Sequence, residues 1–472
     1  MAKKKKEAEQ ATPAAAKRQT TIAGYVDHAF ENRPWYARTA DCVKAGTVKF
    51  YTGFLDLDLN LYGGFPYGKL SMASGADSGG KSTLMIRTVA RMLRTCRLCY
   101  TPIVDFMNYA TGETRTACRC GKTKPMNGIY IDGEDRLDMV WGAKHGLPVS
   151  KDDPLVEHLV VLKPSTGEMV TDAVRRMIQD DILDFAVVDS FASLYPESNE
   201  GRTAGQMMPG ASAKMVQTFL TAVLYENLKG GNNKRRCTVL GTQQLRANIG
   251  QMYGPQTTIP GGWFLKHGLT THIALKRPRI NEGIDKKKMT VENATHYADF
   301  ECEVVKASLG GNERSHAHWR LYTRKYGNHA TADSDEAKRV IEALAVFKMA
   351  GKSSAGGYDL LGINFPTIEA MTAAVAQNET FGLVARYVLL YNKLPEDSRA
   401  YLDIDRFNYD PFYELVQEEA NGTETQLVRF RLVERGATPG ANRQRTKPAR
   451  KDSIADKELA KLAPPDTAAV AG

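Results

Sequence analysis

The sequence predicts an α/β protein built on a mostly parallel, twisted sheet with helices on both faces, and three observations predict it. Short apolar runs alternate with amphipathic stretches along the first two thirds of the chain. A glycine-rich loop, GADSGGKS at residues 75–82, sits between one such run and a helical pattern. Another run, FAVVD at 185–189, ends on a carboxylate. Runs that stay apolar along their length suit strands buried on both faces, as a parallel sheet covered by helices requires.

The loop follows an apolar strand at residues 70–73 and leads into a helix predicted over 82–94. Its pattern, G-x-x-x-x-G-K-[ST], is that of a phosphate cradle. Gly75, Ala76, Asp77, Ser78, Gly79 and Gly80 let the backbone curl so that its N–H groups point at phosphate oxygens, with the helix N-terminus and Thr83 behind them. Lys81 then reaches the β- and γ-phosphates, and the Ser82 hydroxyl ligates Mg²⁺. A merely structural glycine-rich turn has no use for the lysine. The expected ligands are therefore ATP and Mg²⁺.

Further strands are predicted at 128–133, 158–163, 185–190 and 237–245, with helices over 136–145, 167–180 and 213–229 between them. Strands at 272–277 and 299–308, with 319–324, extend the sheet. Asp189 ends its strand where a nucleotide-binding sheet holds Mg²⁺ directly or through water, and Ser190 is placed to orient that shell. Asp132 and Glu134 end the neighbouring strand, where a carboxylate opposite the γ-phosphate can polarise the attacking water. Strand alternation puts both on one face, so the sequence does not choose between them.

The chain has 472 residues and a formal net charge of +9. Residues 1–19 hold six Lys/Arg and two Glu, and residues 435–472 hold eight Lys/Arg and four acids, so the body between them is close to neutral. Both ends are rich in Ala, Pro, Lys and Arg and read as disordered basic tails. No apolar run reaches the length of a membrane span, and the start lacks an apolar signal region, which predicts a cytoplasmic protein. After a break at 327–335, a helix over 336–349 opens a smaller α+β domain, 334–434, behind a core spanning 51–333.

Seven cysteines in such a chain argue against a disulfide framework. Cys237 and Cys302 lie in strand-like runs and read as core residues. Cys96, Cys99, Cys118 and Cys120 bracket an insertion (96–120) between the first helix and the next strand. C-x2-C and C-x-C flanking turn residues predict a zinc-ribbon-like module, since four thiolates give soft tetrahedral ligation suited to Zn²⁺. A module this small has little core of its own and depends on the metal for stability. Its basic residues suit nucleic-acid or partner contact, or simple solvation.

Residues 52–327 resemble, in one colinear order, the RecA family of ATP-dependent DNA recombinases, phage-type members included. The segments that carry the likeness are TGFLDLDLNLYGGFPYGKL (52–70), YIDGEDRLDMVWGAKHGL (130–147), DFAVVDSFASLYP (184–196) and GTQQLRANIGQMYGPQTTIPGGWFLKH (241–267). The resemblance implies that Glu134 is the catalytic carboxylate, with Asp138 hydrogen-bonding and Trp141 stacking on the adenine. It implies that Gln244 senses the γ-phosphate and passes the signal to a DNA-binding loop at 245–262, which carries Arg246, Met252 and Tyr253. A first loop at 199–210 has the same character, with Arg202 in it and Lys214 opening the helix after it. Such loops offer cations for phosphates and apolar wedges between bases.

The resemblance further implies a helical homo-oligomer whose ATP site is completed by Lys306 of the next protomer. Ser308 stands where the family has a second such lysine, which predicts a modest ATPase. Residues 20–50 read as the segment that docks on a neighbouring protomer, and 334–434 as a candidate duplex-DNA domain. Partners would then be single- and double-stranded DNA, a second copy, and a single-strand-binding protein or loader, with no membrane. Two rivals share the nucleotide site: a ring-forming helicase or branch-migration motor, and a non-catalytic, ATP-gated factor that coats or loads single strands. About 50 residues before the core leave no room for a large helicase N-terminal domain.

Overall fold

In a computed structural model, the described residues are 48–432, apart from 108–113, 119, 121, 204–205, 207, 209, 230–235, 248–256, 259, 261–264, 266, 284–294, 323–333, 355, 362, 378, 395–412 and 420–425. The two basic tails, most of the 20–50 segment, Met252 and Tyr253 therefore lie outside the described residues.

The order of elements is β1 (Lys49–Phe50), α1 (Leu55–Asn60), β2 (Phe65–Pro66), β3 (Leu70–Gly75), α2 (Lys81–Leu93), β4 (Val104–Met107), β5 (Thr114–Ala117), β6 (Gly128–Asp132), α3 (Met139–Lys144), β7 (Leu159–Leu162), α4 (Gly167–Gln179), β8 (Phe185–Asp189), α5 (Ala211–Lys229) and β9 (Thr238–Gln244). There follow β10 (Arg246–Ala247), β11 (Thr257–Thr258), β12 (Thr271–Leu275), β13 (Arg279–Gly283), β14 (Thr295–Ala307), β15 (His316–Tyr322), α6 (Ser334–Val346), β16 (Ala350–Lys352), β17 (Tyr358–Leu360), β18 (Ile363–Phe365), α7 (Ile368–Gln377), α8 (Glu379–Lys393), β19 (Tyr413–Glu419) and β20 (Gln426–Leu432).

The main sheet runs β13-β14-β12-β3-β9-β8-β6-β7, with β15 also on β14. The pairs β12–β3, β3–β9, β9–β8, β8–β6 and β6–β7 are parallel, whereas β14 pairs antiparallel with β12, β13 and β15. The sheet is thus parallel at its centre with an antiparallel edge. The strand at Arg279–Gly283 has no counterpart among the sequence expectations, because its alternation is polar and its place is set by pairing with β14.

Successive side chains of a strand leave on opposite faces, and the core divides that way. Ala73, Tyr130, Phe185, Val187 and Leu240 pack with Leu84, Met85 and Val89 of α2 on one face. Met72, Ile129, Val188 and Val239 pack with Val170 and Val174 of α4 and Phe219 and Leu220 of α5 on the other. A third cluster, built on α6, α7 and α8, forms the smaller unit and takes in Leu55 of α1. Glu336 accepts from the Leu55 backbone N–H at 2.9 Å, and Arg386 donates to the Gly53 carbonyl at 3.2 Å, so this unit is pinned to the core beside α1.

Several boundaries move, two of them beside the core's first strand and the site. Lys49 and Phe50 pair with Pro66 and Phe65 in the β1–β2 hairpin, so they belong to the core body rather than to a docking segment ending at 50. Phe50 is buried in that hairpin, which is why the pairing holds it. The helix expected over 136–145 is confined to Met139–Lys144. Asp132 captures the N–H groups of Arg136 (3.0 Å) and Leu137 (3.1 Å), holding that stretch in a turn, and Asp138 caps the helix by accepting from Val140 and Trp141.

His272 of β12 is buried, and its Nε2 lies 2.8 Å from the Ser74 hydroxyl beneath the phosphate loop. Burial, with Lys306 opposite, pushes its pKa from 6.5 down to about 4. Since the folded value is below the unfolded one, stability is full above about pH 6.5 and falls as pH drops through about 4. In His272→Gln, urea midpoints measured from pH 7 to 4 should decline less than in the wild-type chain.

Candidate nucleotide and nucleic-acid site

The C-terminal ends of β3, β9, β8 and β6 lie side by side, with Gly75 in register with Gln244 and Asp132 with Asp189. This brings together residues far apart in sequence along one sheet edge. The phosphate loop leaves β3 and enters α2 through Gly80, whose φ of +86° is left-handed and where a Cβ would stand 2.6 Å from the Phe300 ring. Only glycine fits there without displacing that ring. Ala76, Asp77 and Ser78 are exposed, and so is Ser82 in the first turn of α2. Lys81 is buried and donates to the carbonyls of Ala76 (2.7 Å) and Gly75 (3.2 Å). Burial lowers its pKa, while Asp77, Asp189 and Glu134 act in the opposite sense, so all three acids are close enough to feel its charge.

The carboxylates differ in what they do. Asp132 is 4 % exposed and spent on the turn that follows it. Glu134 lies past the strand end, so alternation no longer governs its direction. Its Oε1 accepts from the Ser190 hydroxyl at 2.7 Å and from Gln244 Nε2 at 3.5 Å, the outer limit of a hydrogen bond, and Oε2 lies 3.3 Å from exposed Arg136. Of the two candidates, Glu134 is the one that meets Gln244. The Ser190 hydroxyl is engaged by Glu134.

Asp189 is held by Tyr130, whose hydroxyl donates to Oδ2 at 2.6 Å, and by the Thr242 hydroxyl, which donates to Oδ1. Neither partner was legible in the sequence: each lies on a neighbouring strand, with no motif around it. A carboxylate at Asp189 and a hydroxyl at Ser82 offer oxygen donors of the kind a hard cation such as Mg²⁺ takes. Trp141 Nε1 donates to Thr83 Oγ1 at 3.1 Å and its backbone N–H to Asp138 Oδ1 at 3.0 Å, so Trp141 links Asp138 to Thr83. One oxygen of Asp138 is occupied by the helix cap.

Strand β9 joins this edge to both loops. Next to Gln244, the buried Gln243 donates to the Pro260 carbonyl at 2.8 Å and accepts from the Ala192 N–H at 3.0 Å. A cavity of about 210 Å³ between Phe191, Met208, Ser212, Gln243 and Pro260 separates the ends of the two loops. The first loop is pinned at its base, where Asn199 Oδ1 accepts from the Met208 N–H, and its Arg202 is exposed. Exposed Lys214 lies in the first turn of α5, which begins at Ala211, earlier than the sequence pattern suggested. In the second loop, Arg246 pairs through its backbone with Thr258. Lys306 stands apart from this constellation, on β14, where its Nζ donates to the His267 carbonyl at 3.3 Å.

Residues 110–310 match the RecA N-terminal domain family. The core has a RecA-like α/β fold. The matched stretch spans β6, β8, β9 and both loops, and the phosphate loop precedes it. The chain is 29% identical over 240 residues (51% of this chain, 52% of the relative) to Protein RecA of Prochlorococcus marinus strain MIT 9303. It is 30% identical over 240 residues (51% and 53%) to Protein RecA of strain NATL1A, and 27% identical over 275 residues (58% and 63%) to that of strain MIT 9515. The chain thus spans about half the length of the first of these curated relatives. Of the colinear segments seen in the sequence, 130–147, 184–196 and 241–267 fall inside the matched stretch and 52–70 does not. Among the described residues, no helix is long and apolar enough to cross a membrane.

The four cysteines of the insertion also converge: all four sulfurs lie within 4.8 Å of one another, with Cys118–Cys120 at 3.4 Å and Cys96–Cys120 at 3.7 Å. Cys237 and Cys302 are buried core residues.

Proposed function

We propose that this chain is an ATP-dependent DNA recombinase that forms a filament on single-stranded DNA, pairs that strand with a homologous duplex and promotes strand exchange. The observation that carries the reading is the Glu134–Gln244 contact, because Gln244 ends β9 where the 245–262 loop begins. An event at the γ-phosphate and the conformation of a strand-gripping loop then share one side chain.

In this reading, loop N–H groups and Lys81 hold the triphosphate, and Thr83, Asp138 and Trp141 hold its adenosine end. Ser82 and Asp189 would hold Mg²⁺, which would supply positive charge to offset that developing on the phosphates. Glu134, aimed by Ser190, takes the proton of the attacking water. Lys306 supplies a cation to the neighbouring protomer's site. Arg202, Lys214 and Arg246 meet phosphates, while Met252 and Tyr253 wedge between bases. Cys96, Cys99, Cys118 and Cys120 carry Zn²⁺. The partners are single- and double-stranded DNA, further copies of the chain and a loading protein, in the cytoplasm of a bacterium or of a phage-infected cell.

ATP turnover with and without poly-dT tests this. Turnover should rise with the strand, and filaments should be visible by electron microscopy with a non-hydrolysable analogue. Absence of stimulation would leave a coating or loading factor; closed rings that unwind forked duplexes would leave a helicase. Gln243→Ala, which frees Pro260 and Ala192 from β9, should retain nucleotide binding and lose most of the stimulation.

A further inference from the structure

The cysteine cluster has a position as well as a chemistry. Zn–S bonds of about 2.3 Å place tetrahedral sulfurs about 3.8 Å apart. The spacings here, from 3.4 Å to no more than 4.8 Å, bracket that value. Two of the sulfurs belong to buried residues and two to partly or fully exposed ones, so the site sits at the surface of the core rather than inside it.

Its base is built into the core. Cys96 follows α2 closely, its N–H donates to the Thr101 carbonyl at 2.8 Å, and Tyr100 N–H returns to the Cys96 carbonyl at 2.8 Å, forming a tight knuckle. Arg97 N–H donates to the Lys124 carbonyl, and Met126 N–H to that of Thr95. The Arg97 guanidinium pairs with buried Asp184, immediately before β8, at 3.0 Å. The other end of the insertion is a two-stranded hairpin, β4 with β5. Strand β5 ends at Ala117, directly before Cys118, and β4 starts shortly after the C-x2-C turn. Beyond this base, β4 lies against α8 of the smaller unit.

We propose that Zn²⁺ bound by Cys96, Cys99, Cys118 and Cys120 makes this hairpin a brace that holds α8 against the ATPase core. The proposal rests on the zinc ligation above and adds a mechanical role to it. An isolated two-stranded hairpin is marginal in water and cannot hold a direction by itself. The metal supplies the missing fixation, because both strands leave from its ligands while Arg97 and the knuckle fasten those ligands to the sheet. Glu336, and Arg386 of α8 itself, already fasten this unit beside α1, so the brace is a second attachment of that helix to the core.

The test uses the full chain. Zinc is measured on the purified protein, and amide exchange is compared between the zinc-loaded chain, the chain stripped with a chelator, and Cys120→Ser, which replaces an exposed ligand. About one equivalent of zinc is expected. Its removal should strip protection from β4, β5 and α8 and leave β3, β8 and β9 protected. If β4 and β5 loosen while α8 keeps its protection, the brace is overturned and the zinc site stands. If the central strands open as well, the metal supports the whole fold and the brace is again wrong. A chain that neither carries zinc nor takes it up overturns both.

Discussion

Glu134→Gln should lower ATP turnover by about 10²–10⁴-fold, the usual contribution of a positioned general base. The amide keeps the size of the side chain and can still meet the Ser190 hydroxyl and the Gln244 amide, so the pocket stays closed around it. It has no basic oxygen to draw the proton from water. ATP affinity, measured with a fluorescent analogue, should therefore stay near the wild-type value, and binding to poly-dT with ATP should persist longer because release is slowed. Asp132→Asn should behave differently. Asp132 holds the N–H groups of Arg136 and Leu137, so its loss weakens the turn that presents Glu134 and should reduce stability before chemistry. If Asp132→Asn abolishes turnover in a fully folded chain while Glu134→Gln is active, the two roles are reversed.

Asp184→Ala should destabilise the chain by about 3–5 kcal/mol, the range seen when one partner of a buried ion pair is removed. The Asp184 side chain is fully buried, and its carboxylate accepts from the Asn127 N–H at 2.8 Å as well as from Arg97. Truncation leaves the guanidinium, itself 14% exposed, with the Asp181 carbonyl at 2.9 Å but without this carboxylate. Urea unfolding followed by circular dichroism measures the loss. Pairing Asp184→Leu with Arg97→Met should return much of it, since a buried pair replaced by apolar groups of similar volume is often close to neutral. A double variant as unstable as Asp184→Ala would mean that the Asn127 contact, not the ion pair, carries the effect.

Residues that signal by local pattern were legible. The phosphate loop needs a strand, a run of small residues, a lysine and a helix in immediate succession, and the structure has all four between Leu70 and Leu93. Strands β6, β8 and β9 were legible because burial on both faces demands unbroken apolar runs. The cysteine spacing likewise reported its own convergence. The polar strand β13 left no such trace, because pairing with β14 and not its own alternation makes it a strand.

The site shows the limit more sharply. Strand periodicity treated Asp132 and Glu134 as equals, but the strand stops at Asp132 and the turn sends the two carboxylates to different partners. Choosing between them depends on Ser190, 56 positions away, and Gln244, 110 positions away. Tyr130 and Thr242 surround Asp189 only because β6, β8 and β9 are adjacent in the sheet. The sequence by itself thus determined the groups on offer: a glycine-rich loop with a lysine between strand and helix, acids at strand ends, and four cysteines around an insertion. Tertiary structure alone decided which acid faces Gln244, what holds Asp189, where the core begins and what the cysteine hairpin touches. The physical reason is range: propensity and motif act over a few residues, whereas each of these choices is made by contacts that exist only after distant strands have paired.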